Sequence, residues 1–178
     1  MSQIVIPEGY KPLLNLKETQ IAIKQVKDFF QRELAAELNL KRVSAPLFVS
    51  PESGLNDNLN GVERPVSFSV RDVNGDVEIV HSLAKWKRMA LKRYGFEVNK
   101  GIYTDMNAIR RDEEVDNLHS VYVDQWDWEK IISPQQRTLA HLQETVKKIL
   151  LALTETQQQL CSVFENLEPF ISPEVSFI

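Results

Sequence analysis

One segment limits the possible folds more than any other: residues 119–128 are rich in β-branched and aromatic side chains and predict a strand. Because side chains alternate between the two faces of a strand, Gln125 and Asp127 share a face with Val121 and Val123. An amide and a carboxylate on a mostly apolar face are costly unless they have partners. Together they can hydrogen-bond an ammonium group, or the strand can be an exposed face with ordinary ion pairs.

Periodic patterns on both sides of this strand indicate further helices and strands. Apolar residues recur at three- and four-residue steps in the helices and at every second residue in the strands. Asn74-Gly75 is a strong hairpin turn signal. The predicted helices cover 17–38, 83–94 and 134–164, and the predicted strands cover 43–49, 66–70, 77–81, 102–109 and 119–128. This order favours an antiparallel or mixed sheet with helices packed on it.

The two ends of the chain differ from its middle. Residues 1–14 are punctuated by proline and glycine and predict an extension, which leaves 15–178 for the domain itself. Residues 171–178 read as the start of a strand with nothing after it. An apolar strand needs partners for its backbone groups and side chains. We therefore expect the chain to be a truncated part of a longer domain.

Composition bounds the class of protein without identifying it. The chain has 178 residues, 43% of them hydrophobic, which suits one compact domain with a core. Its net charge of −4 does not favour a nucleic-acid or membrane surface. A single cysteine, Cys161, permits no intrachain disulfide and fits a cytoplasmic protein. The sequence has no phosphate-loop or dinucleotide-binding glycine pattern.

A second candidate site lies at the start of the predicted helix 83–94. Ser82 suits the N-cap position, and Lys85 and Lys87 follow it. A helix N-terminus beside a cation is a good site for a carboxylate or a phosphate. The same residues also suit a capped surface helix with solvated lysines.

Three further residues have side chains suited to chemistry. Arg110 and Arg111, at the end of a predicted strand, can hold a phosphate with paired hydrogen bonds. Asp57 lies in a loop of asparagines and glycines, residues 54–61. Its carboxylate can coordinate a cation, accept from an amine or orient a nucleophile. The alternative is a local turn in which the Asp57 side chain bonds to nearby backbone.

Three strings occur in an order that identifies a family: DNLNGVE at 57–63, VHSLAKWKR at 80–88 and HSVYVDQWDWE at 119–129. From about residue 15 onward the chain resembles ammonia-dependent asparagine synthetase and, more broadly, class II aminoacyl-tRNA synthetases. The resemblance implies an α+β catalytic domain, with a mainly antiparallel sheet flanked by helices, that works as a homodimer. It also implies that ATP, with Mg²⁺, activates L-aspartate as β-aspartyl-AMP with loss of diphosphate. Ammonia then converts this intermediate to L-asparagine and AMP.

The resemblance assigns the aspartate end of the site by matching positions. Gln125 and Asp127 would hold the α-amino group of aspartate. Ser82 and Lys87 would lie around its carboxylates. Asp57 would face the reacting end and help to position or deprotonate ammonium.

The resemblance also assigns the nucleotide end and the interface. Arg110 would contact the α-phosphate of ATP, and Ser120 would lie beside the nucleotide. The implied catalytic residues are therefore Arg110, Asp57 and Lys87. The first helix and the strand through Pro46 would form the dimer interface.

The chain departs from the family pattern in several places. Val62 stands where the family often has cysteine, and Arg111 where it often has proline. The glycine-rich motif with an ATP-binding arginine and the acidic cluster that binds Mg²⁺ are missing. We therefore expect these 178 residues by themselves to make no asparagine. Two other hypotheses stay open: a short non-catalytic relative that serves as a dimerising or ligand-binding module, and a piece of a class II tRNA synthetase, which the acidic charge disfavours.

Overall fold

The computed structural model describes residues 4–57 and 59–178, so residues 1–3 of the predicted extension and Asn58 of the predicted loop lie outside the described residues. The helices are α1 (Leu16–Leu38), α2 (Ala84–Arg93) and α3 (Leu139–Val163), with 3-10 turns at Pro51–Ser53 and Pro134–Gln136. The strands are β1 (Leu40–Arg42), β2 (Phe48–Val49), β3 (Ser67–Ser69), β4 (Asp76–Ile79), β5 (Gly101–Ile109) and β6 (Tyr122–Lys130).

The strands form two small sheets. The first is three-stranded with the order β1–β5–β6, in which β1 runs parallel to β5 and β5 pairs antiparallel with β6 along its whole length. The second is three-stranded and antiparallel, with the order β2–β4–β3. The prediction of a mainly antiparallel sheet flanked by helices is confirmed, although the strands are divided between two sheets rather than gathered in one.

One face of the first sheet packs against α2. Every second residue of β5 points to this side and is buried. Three of the buried residues of α2 belong to the same apolar core as this face. Together with residues from β2 and from the β4–α2 connection, the core consists of Val49, Val80, Leu83, Trp86, Ala90, Leu91, Ile102, Met106 and Ala108.

The opposite face packs against α1 and α3, which also contact each other. A second apolar cluster lies there, built from buried Leu34, Leu38, Leu40 and Ala152. Phe30, Tyr103, Trp128 and Ile149 surround that cluster. The first sheet is therefore covered on both sides, and the tryptophan Trp128 of β6 lies on the face that packs against α1 and α3.

The ends of α1 follow the expected capping rules. Asn15 accepts from the Glu18 backbone N–H, and the Glu18 side chain accepts from the Asn15 backbone N–H, which forms a capping box. Asn39 ends the helix in the left-handed conformation with φ 56°, which asparagine tolerates better than most residues. The predicted hairpin is also present, and its Gly75 has φ 88° between β3 and β4.

The start of α2 differs from the prediction. The helix begins at Ala84 and Leu83 occupies the N-cap position, so Ser82 is not the N-cap residue. The Ser82 hydroxyl instead accepts from the Ala84 backbone N–H at 3.1 Å. It still satisfies one of the free N–H groups at the helix start, from one residue farther out.

Two predicted strands need correction. Of the strand expected over 43–49, only β2 forms, because Pro46 lacks a backbone N–H and lies in the segment that separates β1 from β2. Residues 171–178 form no strand. Gln157 of α3 takes the place of a strand partner, since its Oε1 accepts from the backbone N–H of Phe170 and of Ile171, both at 2.7 Å.

The burial of Leu38 yields a test of this packing. Its side chain is 1% exposed at the end of α1, whereas Leu16, at the start of the same helix, is 89% exposed. We expect Leu38→Ala to lower the free energy of unfolding by about 2–5 kcal/mol, because it leaves a cavity in the second cluster. Leu16→Ala, the matched control, should change it by less than about 0.5 kcal/mol. Denaturant titration measures both, and equal effects would contradict the assigned packing.

Candidate active site

A buried ion pair joins α2 to β6. The Lys87 side chain is fully buried in the first turn of α2, and its Nζ lies 2.6 Å from Oδ2 of Asp127. The contact is a close charge pair whose angles fall outside those of a hydrogen bond, so the ammonium has donors with no acceptor among the described residues. Burial lowers the pKa of Lys87 below its usual range, while the charge of Asp127 opposes that shift.

The Asp127 carboxylate is also held by the start of α2. Its Oδ2 accepts from the Leu83 backbone N–H at 3.1 Å. A helix N-terminus attracts a negative charge, so the start of α2 and Lys87 both make favourable contacts with this carboxylate. The carboxylate remains partly open, with 20% of its side chain exposed. It can therefore accept a further cation from outside.

Gln125 lies on the same face of the sheet, two residues before Asp127. It pairs with Met106 across β5 and β6, as Asp127 pairs with Thr104. Its Nε2 is buried and has no hydrogen-bond partner in the part of the chain that the structure describes. A buried amide donor without a partner is costly, which makes it a natural contact for a ligand acceptor. The predicted alternation of β6 is confirmed at these positions.

Asn56 holds the loop that contains Asp57. Its Oδ1 accepts from the His81 backbone N–H at 2.9 Å, and its Nδ2 donates to Glu78 Oε2 at 3.0 Å. Its backbone carbonyl accepts from Lys85 Nζ at 3.2 Å. Asp57, the next residue, is half-buried beside this anchor. Lys85, considered with Lys87 as part of an anion site, thus has a bond within the fold.

Sequence reasoning missed two residues of this region. Nothing in the sequence separates Asn56 from the other asparagines of its loop, because its role depends on β4 and α2, which are distant in the chain. The other residue is His81, whose burial also depends on distant parts of the chain. Its side chain is 1% exposed, and neither ring nitrogen has a hydrogen-bond partner among the residues that the structure describes.

Arg110 extends the same face beyond the end of β5. Its backbone N–H donates to the Val121 carbonyl at 2.8 Å, which continues the antiparallel pairing by one step. Arg110 therefore has the same orientation along the strand as Met106, the partner of Gln125. Arg110 is four residue steps along the strand from Met106, so their Cα atoms are about 14 Å apart. Its Nε is buried and has no hydrogen-bond partner within residues 4–57 and 59–178, and its Nη1 lies 3.9 Å from Glu113 Oε2.

Residues 110–121 form the β5–β6 loop, whose first half is fastened by Arg64. The Arg64 Nε donates to Asp112 Oδ2 at 3.0 Å and Nη2 contacts the other carboxylate oxygen, so the contact is bidentate. These bonds lower the pKa of Asp112 to about 2. Arg111 donates to the Pro65 carbonyl at 3.4 Å. It is thus directed toward the chain before β3 in this structure.

The second half of the β5–β6 loop is held by Asp116. Its carboxylate accepts from the backbone N–H groups of Leu118 and His119, both at 2.7 Å. The imidazole of His119 lies 3.0 Å from the same carboxylate, which raises the pKa of His119. Hydrogen bonds from His119 and the backbone hold the pKa of Asp116 at about 2. Ser120 is exposed, and its hydroxyl accepts from the Tyr122 N–H at 3.3 Å.

The candidate residues thus fall into two groups, one around the Lys87–Asp127 pair and one at Arg110 and the β5–β6 loop. Lys87, Asp127 and Gln125 lie together on one face, while Arg110 extends that face toward the loop that carries Ser120. Ser82 precedes α2, and the anchor at Asn56 brings the Asp57 loop to the same connection. Within residues 4–57 and 59–178, no three His, Cys, Asp or Glu side chains cluster closely enough to hold a metal ion. Nor does any helix in this part of the chain have the length and apolar character to cross a membrane.

Curated relatives match the whole chain. The chain is 60% identical to an aspartate–ammonia ligase from Ruminiclostridium cellulolyticum, an alignment that covers 100% of this chain and 53% of the relative. It is 56% identical to an aspartate–ammonia ligase from Clostridium perfringens, again over 100% of this chain and 53% of the relative. The chain therefore spans about half the length of the curated relatives it matches.

Solved structures with little sequence similarity share the fold. A pyrrolysyl-tRNA synthetase from Desulfitobacterium hafniense matches 76% of this chain and 52% of its own with a TM-score of 0.52 at 13% identity. A protein assigned as an aspartyl-tRNA synthetase from Leishmania major Friedlin matches 94% of this chain and 33% of its own with a TM-score of 0.51 at 17% identity. The fold is thus that of class II aminoacyl-tRNA synthetases. Since the family model for aspartate–ammonia ligase matches residues 17–178, the chain belongs to the aspartate–ammonia ligase family.

Proposed function

We propose that this chain supplies the aspartate-binding face and the phosphate-contacting arginine of an enzyme that makes L-asparagine from L-aspartate, ammonia and ATP. The reaction would proceed through β-aspartyl-AMP and release AMP and diphosphate. One observation carries the proposal: the buried pair of Lys87 and Asp127 lies beside Gln125, whose amide donor has no described partner. This arrangement offers a cation site, an anion site and a neutral donor within one small region.

Aspartate would bind by exchange of ion-pair partners. The ammonium group of the substrate competes with Lys87 for Asp127, and the α-carboxylate of the same molecule gives Lys87 a new partner. Both protein charges remain compensated throughout, which matters because an unpaired buried charge is strongly destabilising. Gln125 would donate to a substrate oxygen or support the ammonium site through its own oxygen. Ser82, at the start of α2, lies on the carboxylate side of this arrangement.

Arg110 would act in the first chemical step. An oxygen of the substrate β-carboxylate attacks the α-phosphorus of ATP, a new C–O–P linkage forms, and diphosphate leaves. Negative charge develops on the α-phosphate oxygens during this displacement, and a guanidinium can stabilise it. The Arg110 Nε has no described partner, and its Nη1 lies 3.9 Å from Glu113 Oε2, beyond hydrogen-bond distance, so the side chain has donors to offer. Ser120 would contact the nucleotide from the far end of the β5–β6 loop.

Asp57 would act in the second step. Neutral ammonia attacks the acyl carbon of β-aspartyl-AMP, the amide forms and AMP departs as the leaving group. Ammonium has no lone pair, so one proton must be removed before attack and a second after it. A half-buried carboxylate next to the anchored Asn56 can accept a proton or hold the ammonium in place.

The remaining features of the proposal concern metal, assembly and location. ATP would enter with Mg²⁺, but the described residues do not cluster to hold it, so no step is assigned to a metal ligand of this chain. A homodimer would form through α1 and the segment around Pro46. Leu47 and Phe48 next to that proline are 54% and 41% exposed, as expected of an interface. A cytoplasmic location would suit a protein with one cysteine.

Substitution of Lys87 tests the aspartate site directly. We expect Lys87→Met to weaken L-aspartate binding by at least about tenfold, because it removes a charge-assisted bond to the substrate carboxylate. Lys92→Met is the matched control: it makes the same change in the last, exposed turn of α2. Isothermal titration of the chain with L-aspartate measures both. Equal affinities in the two variants, with α2 intact by circular dichroism, would remove the basis of the proposed site.

The ion pair between Lys87 and Asp127 predicts how the pKa of Lys87 responds to substitution of Asp127. Burial lowers the Lys87 pKa and Asp127 partly restores it, so Asp127→Asn should lower that pKa further. Asp124→Asn is the control, because Asp124 pairs with Lys27 at 2.7 Å rather than with Lys87. Carbon-13 NMR of the lysine ε-carbons measures the pKa, with Lys87→Met used for assignment. An unchanged Lys87 pKa in Asp127→Asn would contradict the pairing.

Arg110 can be tested by separating binding from adenylation. The protein for this test joins the chain to the part of the Ruminiclostridium cellulolyticum relative that it does not cover. Arg110→Ala should slow aspartate-dependent exchange of diphosphate into ATP by about 100-fold, the usual loss for a transition-state contact, with aspartate affinity within about twofold. Arg93→Ala, at the exposed end of α2, is the control.

The joined protein also separates the two classes of function. Undiminished diphosphate exchange in Arg110→Ala would show that another residue contacts the α-phosphate. If the unmodified joined protein bound aspartate but made no asparagine, the non-catalytic ligand-binding module would be the better description.

A further inference from the structure

We propose that Asn117 and the N-terminal arm, residues 4–14, form a clasp that positions the β5–β6 loop for nucleotide binding. The arm precedes residue 17, where the family match begins. Its Val5 backbone makes two hydrogen bonds to one side chain 112 positions away. The Val5 N–H donates to Asn117 Oδ1 at 2.7 Å, and Asn117 Nδ2 donates to the Val5 carbonyl at 2.8 Å.

The geometry of the clasp makes it specific. A side-chain amide that bonds to both the N–H and the carbonyl of one residue reproduces the pairing of two strands. It fixes the direction of the arm as well as its position, which a single bond does not. Ile4, Val5 and Ile6 are 55%, 66% and 75% exposed, so burial of apolar surface does little to hold this end of the arm. Among the described contacts, the two hydrogen bonds to Asn117 are therefore the main attachment of this end of the arm.

The place of Asn117 in the loop gives the clasp its effect. The first half of the loop is tied to a distant part of the chain by Arg64 and Asp112. In the second half, the described hydrogen bonds of Asp116 with Leu118 and His119 stay inside the loop. Asn117 connects that half to the arm. The clasp thus completes a two-sided attachment of the loop.

The functional consequence rests on the proposed function. The loop begins at Arg110 and includes Ser120, the two residues proposed to contact the nucleotide. Aspartate would be held by Gln125 and Asp127 in β6 and by Lys87 in α2, which are fixed by sheet pairing and helix packing. Loss of the clasp should therefore weaken ATP binding and leave aspartate binding unchanged. Asn117 would be a positioning residue, since its described bonds go to the arm rather than toward the site.

Three variants isolate the clasp. Asn117→Ala removes both bonds, and deletion of residues 2–9 removes their partner. Asn117→Asp keeps the acceptor for the Val5 N–H and loses the donor. Its rate of hydrogen exchange in the loop should therefore lie between those of wild type and Asn117→Ala. Asn166→Ala is the matched control, because its Nδ2 donates to the Leu13 carbonyl at 3.4 Å and so touches the base of the arm.

Hydrogen exchange of the 178-residue chain tests the clasp without reference to function. The backbone N–H groups of Arg110, Leu118 and His119 should exchange about tenfold faster in Asn117→Ala and in the deletion, because two hydrogen bonds that order the loop are lost. Asn166→Ala should match wild type. Unchanged exchange in Asn117→Ala would overturn the proposal.

Ligand titration then tests the consequence. In the joined protein described above, Asn117→Ala should bind ATP about three- to tenfold more weakly, with the L-aspartate affinity within about twofold of that of the unmodified joined protein. Faster exchange with unchanged ATP affinity would overturn the positioning role. If the unmodified joined protein bound neither ATP nor aspartate, the proposed function would fail, while hydrogen exchange would still decide whether the clasp orders the loop.

Discussion

The charge of Lys87 is the constraint around which this fold is arranged. A fully buried ammonium is tolerated only beside a compensating charge, and Asp127 provides it at 2.6 Å. Removal of one member of such a pair typically costs about 3–5 kcal/mol, whereas replacement of both by apolar residues is often neutral. A protein that needed only stability could thus do without the pair. Its presence next to Gln125, whose amide donor has no partner among the described residues, supports the proposed recognition of a charged ligand.

The surrounding elements can be understood from this pair. Asp127 must be in β6 and Lys87 in the first turn of α2, so the helix start has to lie over that strand. The Leu83 N–H, which bonds the same carboxylate, sets the height of the helix above the sheet. Asn56 then fixes the loop before β3 to the segment that leads into α2. Each contact is short, and each connects parts of the chain that are distant in sequence.

Local patterns predicted much of the fold. The alternation of β6 placed Gln125 and Asp127 on one face, and Asn39 marked the end of α1, because both features depend on neighbouring residues. The terminal segment 171–178 was mistaken for a strand. Its apolar residues fit the strand pattern, but the Gln157 side chain of α3 bonds to the backbone of Phe170 and Ile171, where the segment begins. Tertiary contacts of this kind leave no periodic trace in the sequence.

The parallel pairing of β1 with β5 shapes how such a site can form. The segment from the Asp57 loop to α2 lies between β1 and β5 in the sequence, and β6 follows β5. The contact of Leu83 with Asp127 spans 44 positions. Ordering that much chain has an entropic cost that precedes any gain from the contact. We therefore expect the start of α2 to pack against the sheet late in folding, after the hairpin of β5 and β6 has formed.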